Sequence, residues 1–192
     1  MGNPLLDITA SVDEEFLDSY DMEPNNAILA TEKHDSLYEQ LQNGFEVKYT
    51  AGGSVLNSLG VAQWVLQRPE VTTFFGCVGK DKYARILEDK ARSNGVNVQC
   101  QHVDGEGTGT CAVLLTGCNR SLCAKLAAAN RFTIEHIRKP RNKKHIEDAA
   151  FYYVSVSATF TIRRDFDRDD CFVFLFDYIV GWRRLSFVSL RV

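Results

Sequence analysis

The sequence has little of what marks specialised protein classes. No apolar run approaches the ~18 residues of a membrane span, so no membrane partner is expected. Asp7 interrupts the first apolar run and no basic segment precedes it. A secretory signal is therefore not expected, and the chain reads as cytosolic or nuclear. None of the six cysteines forms a CxxC pair and the four histidines are scattered. That argues against a structural zinc site. Free thiols are the simplest state, with a disulfide framework as the minor alternative. Basic residues are not in excess: the formal net charge is -3, so no positive field points to nucleic acid. No GxxxxGK[ST] occurs, which excludes a phosphate-gripping P-loop. Internal repeats and low-complexity tracts are also missing.

What is present is ordinary globular material: 192 residues, 45% hydrophobic and 24% charged. This length suits one domain, or one domain with a small appendage, and buries a core without disulfide staples. Residues 3–8 read as a strand and 13–20 as a short helix capped by Asp13, with Phe16, Leu17 and Tyr20 on one face. Pro24-Asn25-Asn26 form a turn before the apolar run 27–30. A helix is expected over 31–43 and an alternating strand over 45–49. Ala51-Gly52-Gly53-Ser54 then leads into a helix over 55–67 that Pro69 ends. A buried strand follows at 71–78, a helix at 81–91 closed by Asn94-Gly95, and a strand at 96–103. Such alternation is the grammar of an α/β fold with a largely parallel sheet.

Beyond it, 110–116 and 120–126 flank Gly117-Cys118-Asn119 and read as a hairpin packing as an accessory sheet. A helix is expected at 132–137, an exposed basic loop at 138–144 and a strand at 149–156. The charged stretch 163–170 reads as a solvated loop, and 172–176 as a strand.

Three constellations carry possible chemistry. The first is Asn3-Pro4-Leu5-Leu6-Asp7. A carboxylate at a strand end can accept hydrogen bonds from two vicinal hydroxyls. Spacing alone favours a plainer role for Asp7, the capping of a turn. The second is Gly52-Gly53-Ser54 with Asn57 one turn into a helix. Paired glycines admit close backbone approach, the helix start offers N–H groups, and the Asn57 amide both donates and accepts. An ordinary tight turn is the competing reading. The third is Gly107-Thr108-Gly109-Thr110 followed by Asn119-Arg120-Ser121-Leu122. Here Arg120 could meet a transferring phosphoryl group from a lid, or simply be a solvated hairpin arginine.

The runs GNPLLDI (2–8), AGGSVLNS (51–58), VAQW (61–64), FFGCVGKD (74–81), GTGTCA (107–112), NRSL (119–122) and LAAAN (126–130) together resemble the adenosine kinases. These lie within the ribokinase-like family of sugar and nucleoside kinases. The resemblance covers roughly residues 2–153. It implies an incomplete ribokinase-like fold, a Rossmann-like largely parallel sheet with helices plus a small β lid. Residues 1–158 would be the N-terminal part of the kinase domain, with lid strands within about 24–50 and 107–127. Residues 159–192 would be an atypical tail.

It further implies that Asn3, Asp7, Gly53, Ser54 and Asn57 line a nucleoside site, with Asp7, Gly53 and Asn57 on ribose hydroxyls. Cys111, Leu122, Ala124 and Leu126 would wall the lid, and Arg120 would lie near phosphates. The implied reaction moves the γ-phosphoryl of Mg-ATP to the adenosine 5′-hydroxyl, giving AMP in purine salvage, by a monomer. No catalytic residue and no metal ligand are expected in this chain.

The sequence departs from the family at Ser155-Val156-Ser157-Ala158, where the family has glycine and phenylalanines. It also holds no DTNGAGD, nor any Gly-x-Gly-Asp after residue 153. The expected consequence is poor activity alone, because the general base and anion hole reside there. A non-catalytic nucleoside-binding or regulatory fragment is one alternative. A kinase for another nucleoside or sugar is the other, since the Asp7, Gly53 and Asn57 set fits any ribose-like diol.

Overall fold

The computed structural model describes residues 1–154 and 179–181. The expected charged loop at 163–170 and strand at 172–176 lie outside the described residues. Strand β1 (Leu5–Ser11) alternates: Leu6, Ile8 and Ala10 are buried, while Leu5, Asp7 and Thr9 sit on the other, less buried face. Helix α1 (Glu14–Ser19) follows, its start capped by Asp13, which accepts from the Phe16 N–H at 2.8 Å. Strand β2 (Ala27–Leu29) is short and edge-placed. The expected helix at 31–43 is a single 3₁₀ turn (Glu32–His34) running into α2 (Asp35–Gly44).

The strand expected at 45–49 lies further on, as β3 (Lys48–Gly52). Phe45 instead closes α2, where its ring meets Phe16 edge-on at 4.9 Å. Helix α3 (Ser54–Leu66) ends at Gln67 in the left-handed region, two residues before Pro69. Then come β4 (Thr73–Gly79), α4 (Lys82–Ser93) and β5 (Asn97–Val103). Strands β6 (Thr110–Thr116) and β7 (Asn119–Lys125) form the expected hairpin.

That hairpin is not a separate accessory sheet. Strand β6 lies parallel to β1, so the hairpin continues a five-stranded sheet of order β2-β7-β6-β1-β3. The β1–β3 and β6–β7 pairs are antiparallel, while β1–β6 and β2–β7 are parallel. A second sheet pairs β4 and β5 in parallel. Its covered faces explain the unbroken apolar character of β4.

The C-terminal part corrects one further expectation. A 3₁₀ turn (Ala127–Arg131) precedes the expected helix, α5 (Ile134–Arg138). The basic stretch at 138–144 is not a loop but most of helix α6 (Pro140–Glu147). Pro140 at its first turn presets the helical φ. Buried Asn142 donates to the His136 carbonyl at 2.7 Å, and Lys143–Glu147 and Lys144–Asp148 pair one turn apart. Charge density hid a helix whose anchors are a proline and an asparagine. Strand β8 (Phe151–Tyr153) pairs antiparallel with β9 (Ile179–Gly181).

The core falls into three clusters. Leu6, Phe74, Val78, Leu87 and Val98 pack with α3 and α4. Ala10, Leu17, Leu37, Leu41 and Leu114 pack beneath α1 and α2. Phe75, Cys77, Phe132 and Ile137 close the far side of β4. All four helices α1 to α4 therefore cover the even-numbered face of β1. The odd-numbered face, which carries Asp7, is left for other business. Among the described residues, no helix is long and apolar enough to cross a membrane.

Candidate functional site

Register assembles the site. Asp7 stands opposite Thr50 on β3 and opposite Cys111 on β6, and Cys111 stands opposite Ala124 on β7. Paired residues project to the same face of a sheet. One row therefore runs Thr50, Asp7, Cys111, Ala124, and ends at Leu29 on β2. The next row holds Thr9, Val113 and Leu122, and the next Leu115 with Arg120. Three of the four residues read from the sequence as the wall (Cys111, Leu122, Ala124) thus share one face with Asp7. Arg120 projects to that face from the exposed lid end. Leu126 lies just past β7, at the cap of the 3₁₀ turn, so it borders the face rather than lying within a strand.

The Asp7 side chain leans towards the β3–α3 junction. A Cβ at Gly52 would collide with its carboxylate, so only glycine lets that group lie over the backbone. Gly53 is the N-cap of α3 with φ +101°, and a Cβ there would also strike the Asn3 carbonyl. Asn3, Asp7, Gly52 and Gly53 therefore meet at one point, the start of α3. The first-turn N–H groups of that helix have no intrahelical acceptor, and its dipole is positive there. Ser54 and Asn57 are exposed in the first turn, with the Asn57 N–H bonded to the Gly53 carbonyl at 2.9 Å. The Asn3 Nδ2 is buried with no hydrogen-bond partner among the described residues.

Electrostatics mark the same place. Burial pushes the Asp7 carboxyl up to about 6, against a smaller downward pull from the Arg120 cation. The Cys111 thiol is pushed up to about 12, first by burial and then by the Asp7 charge beside it. It is therefore a neutral thiol at neutral pH.

Sequence reasoning missed the clamp that holds the 104–109 loop beside this face. The Asp81 carboxylate caps α4 by accepting from the Ala84 N–H at 2.8 Å. It also accepts from the Thr108 N–H and hydroxyl, both at 2.7 Å. The Thr108 hydroxyl oxygen in turn accepts from the Gly79 N–H at 3.1 Å. Burial raises Asp81, but these hydrogen bonds outweigh it and hold the group below its ordinary value. Asp81 after a strand and before a helix signals only a cap. Its second duty to Thr108 is a long-range fact. Thr50 and Leu29 were likewise invisible as site neighbours, because only pairing puts them on the Asp7 row.

A mixed α/β fold thus brings a carboxylate and a glycine-led helix start together on one sheet face. The pfkB family carbohydrate kinase pattern matches residues 15–166, and the chain belongs to that family. It is similar to adenosine kinase 2 of Arabidopsis thaliana, 48% identical over 155 residues that make up 81% of this chain and 45% of the relative. In structure it is similar to Anopheles gambiae adenosine kinase in complex with P1,P4-di(adenosine-5) tetraphosphate. There the TM-score is 0.78 at 60% identity, covering 84% of this chain and 48% of the other. Adenosine kinase from Schistosoma mansoni in complex with adenosine and AMP gives a TM-score of 0.77 at 31% identity, over 85% and 48%. The chain thus spans about half the length of the relatives it matches.

Proposed function

We propose that this chain is the nucleoside-binding part of an adenosine kinase. Asp7, the Gly53 backbone and Asn57 grip the ribose diol. Asn3 and Ser54 complete that end of the site. Cys111, Leu122, Ala124 and Leu126 give the nucleoside an apolar wall, and Arg120 approaches the phosphates. The supporting observation is the Asp7 carboxylate lying over Gly52 at the start of α3. An ionised carboxylate there accepts two hydrogen bonds from neighbouring hydroxyls, and the helix-start N–H groups and the Asn57 amide meet the rest of the sugar. Adenosine as the nucleoside is supported by the relatives and neighbours named above, and base identity rests on that similarity.

The overall reaction would carry the γ-phosphoryl of ATP to the adenosine 5′-hydroxyl, returning the nucleoside to the AMP pool in the cytosol or nucleus. In that reaction Asp7 holds the diol. The rows of this face offer no second carboxylate to remove the 5′-proton. Poor turnover by this chain alone is expected, since a positioned base contributes about 10²–10⁴-fold. No group of three or more His, Cys, Asp or Glu among the described residues is placed to hold a metal. Magnesium, carried with ATP in the reaction the family implies, is given no residue of this chain and no step.

Calorimetry with adenosine tests the reading, alongside an assay of AMP formation with Mg-ATP. Adenosine should bind, 2′,3′-dideoxyadenosine should bind at least about ten-fold more weakly, and Asp7→Ala should abolish binding. Equal binding of the two nucleosides would overturn the diol assignment. Turnover at an ordinary kinase rate of about 1–100 s⁻¹ would overturn the expectation of an incomplete catalytic set.

A further inference from the structure

Helix α6 collects positive charge in a chain that is acidic overall. Five of the 22 basic residues fall within positions 138–144, with no acid among them, while the formal net charge of the chain is -3. Arg138, Lys139, Arg141, Lys143 and Lys144 are all exposed. Lys143 and Lys144 reach Glu147 and Asp148 at 3.5 and 3.3 Å, exposed pairs that solvent weakens. Lys139 and Arg141 form no ion pair among the described residues. These two stand at the N-terminal end of α6, whose first turn holds no acid. The dipole there is positive and favours acids, so their charge does not serve the helix itself. The field also reaches inward. Burial lowers the His136 imidazole and the Lys139 cation lowers it further, against the bond to the Gln99 carbonyl, which raises it. The backbone beneath is fixed: Asn142 donates to the His136 carbonyl, and Ile146 packs with Phe75, Cys77, Phe132 and Ile137.

We propose that the exposed basic face of α6 is a docking surface for an acidic segment of a partner protein, a short run of Asp and Glu side chains. Charge complementarity names the chemistry, and the extent and surroundings of the patch choose among anionic partners. An eight-residue helix is about 12 Å long. An extended peptide rises about 3.3 Å per residue, so roughly four acidic residues span it. Exposed Glu135 precedes the basic run, and exposed Glu147 and Asp148 follow it. A membrane plane or a long polynucleotide would press its own negative charge onto these acids, while a short peptide stops before them. The helix also carries no Phe, Tyr or Trp on which a base could stack. This inference is independent of the nucleoside reading. Helix α6 packs with the cluster around Phe132, whereas the Asp7 row is built by the pairing of β1, β3, β6 and β7.

Fluorescence anisotropy with a labelled peptide of eight glutamates tests this on the intact chain. The wild type should bind in about 50 mM salt, and raising the salt to about 200 mM should weaken binding by about three-fold or more. The variant K139E/R141E should weaken it by about ten-fold or more. Its far-ultraviolet dichroism should be unchanged and its Tm at or above that of the wild type, since acids at a helix start suit the dipole. The neutral variant K139Q/R141Q gives a second reading and should fall between the two. The control R85E/K90E makes the same charge change on exposed positions of α4 and should bind like the wild type. No binding by the wild type, or an affinity unchanged in both α6 variants, would overturn the proposal. An equal loss in R85E/K90E would do so too, since the effect would then be one of net charge. Tighter binding of a single-stranded RNA 20-mer, or of phosphatidylserine vesicles, would assign the surface to a different class of partner and likewise overturn it. Binding is read without nucleoside, so its outcome stands apart from that of the adenosine titration.

Discussion

Asp7 gives up solvation where it lies over Gly52 at the start of α3. Its ordinary value is 3.8, and burial lifts it to about 6 in spite of Arg120. Between those values the folded chain holds a proton that the unfolded chain has released, so stability falls as pH rises through the window. Asp7→Asn removes the buried charge. It should raise stability at pH 7.5 by about 1–2 kcal/mol, a figure already reduced for solvent screening at a partly exposed site. At pH 4 variant and wild type should melt together, as Tm measured across pH would show. Binding runs the other way. Adenosine affinity should fall as pH drops below about 6, approaching ten-fold per unit as the acceptor protonates. A flat calorimetric profile between pH 5 and 8 would contradict the assigned role.

At the scale of elements, the fold is tied together by polar side chains that serve two segments at once. Asp81 caps α4 and holds Thr108, which is buried and accepts from Gly79. Asp81→Ala should cost about 2–3 kcal/mol, one cap plus the bonds that leave Thr108 unpaired. Because the carboxyl is held below its ordinary value, its contribution is complete above about pH 4 and is lost as pH falls through the lowered folded value. Urea titrations of wild type and variant at pH 7 and pH 3 should therefore converge at the lower pH. The same logic applies to Asn25, whose amide donates to Asn119 at 2.7 Å and accepts from the Arg120 N–H at 3.0 Å. That link fixes the tip of the β6–β7 hairpin on which Arg120 is carried.

Among the described residues, the β1-containing sheet and the β4–β5 sheet share helices across a few fully buried side chains. Phe74 is 0% exposed and joins Leu6 of β1 to Leu87 of α4 and Val98 of β5. Phe74→Ala should cost about 3–5 kcal/mol, a large share of the 5–15 kcal/mol of a typical domain. The urea midpoint should drop accordingly, while a Val65→Ala control on the exposed face of α3 should change it little. A midpoint unmoved by Phe74→Ala would mean the β1 and β4 layers do not share a core.

Much of this was legible in the chain itself. A strand was legible over 3–8, and the Gly52-Gly53 pair announced a close backbone approach before a helix, while the alternation that sets Asp7 against Leu6 and Ile8 appears in the fold. The ordered motifs announced the family. Those signals are local, governed by sterics and hydrophobic spacing within a few residues. Pairing decided the rest: β1 takes β3 on one side and β6 on the other, and that alone joins Thr50, Cys111, Ala124 and Leu29 to Asp7. It also merges the hairpin with the main sheet, sets Asp81 against Thr108 and gives Asp7 its raised value. Register and desolvation depend on residues far apart in sequence, so no window of neighbours encodes them. The helix at Pro140–Glu147 shows the same limit, since its buried Asn142 finds its acceptor only once α5 has folded against it.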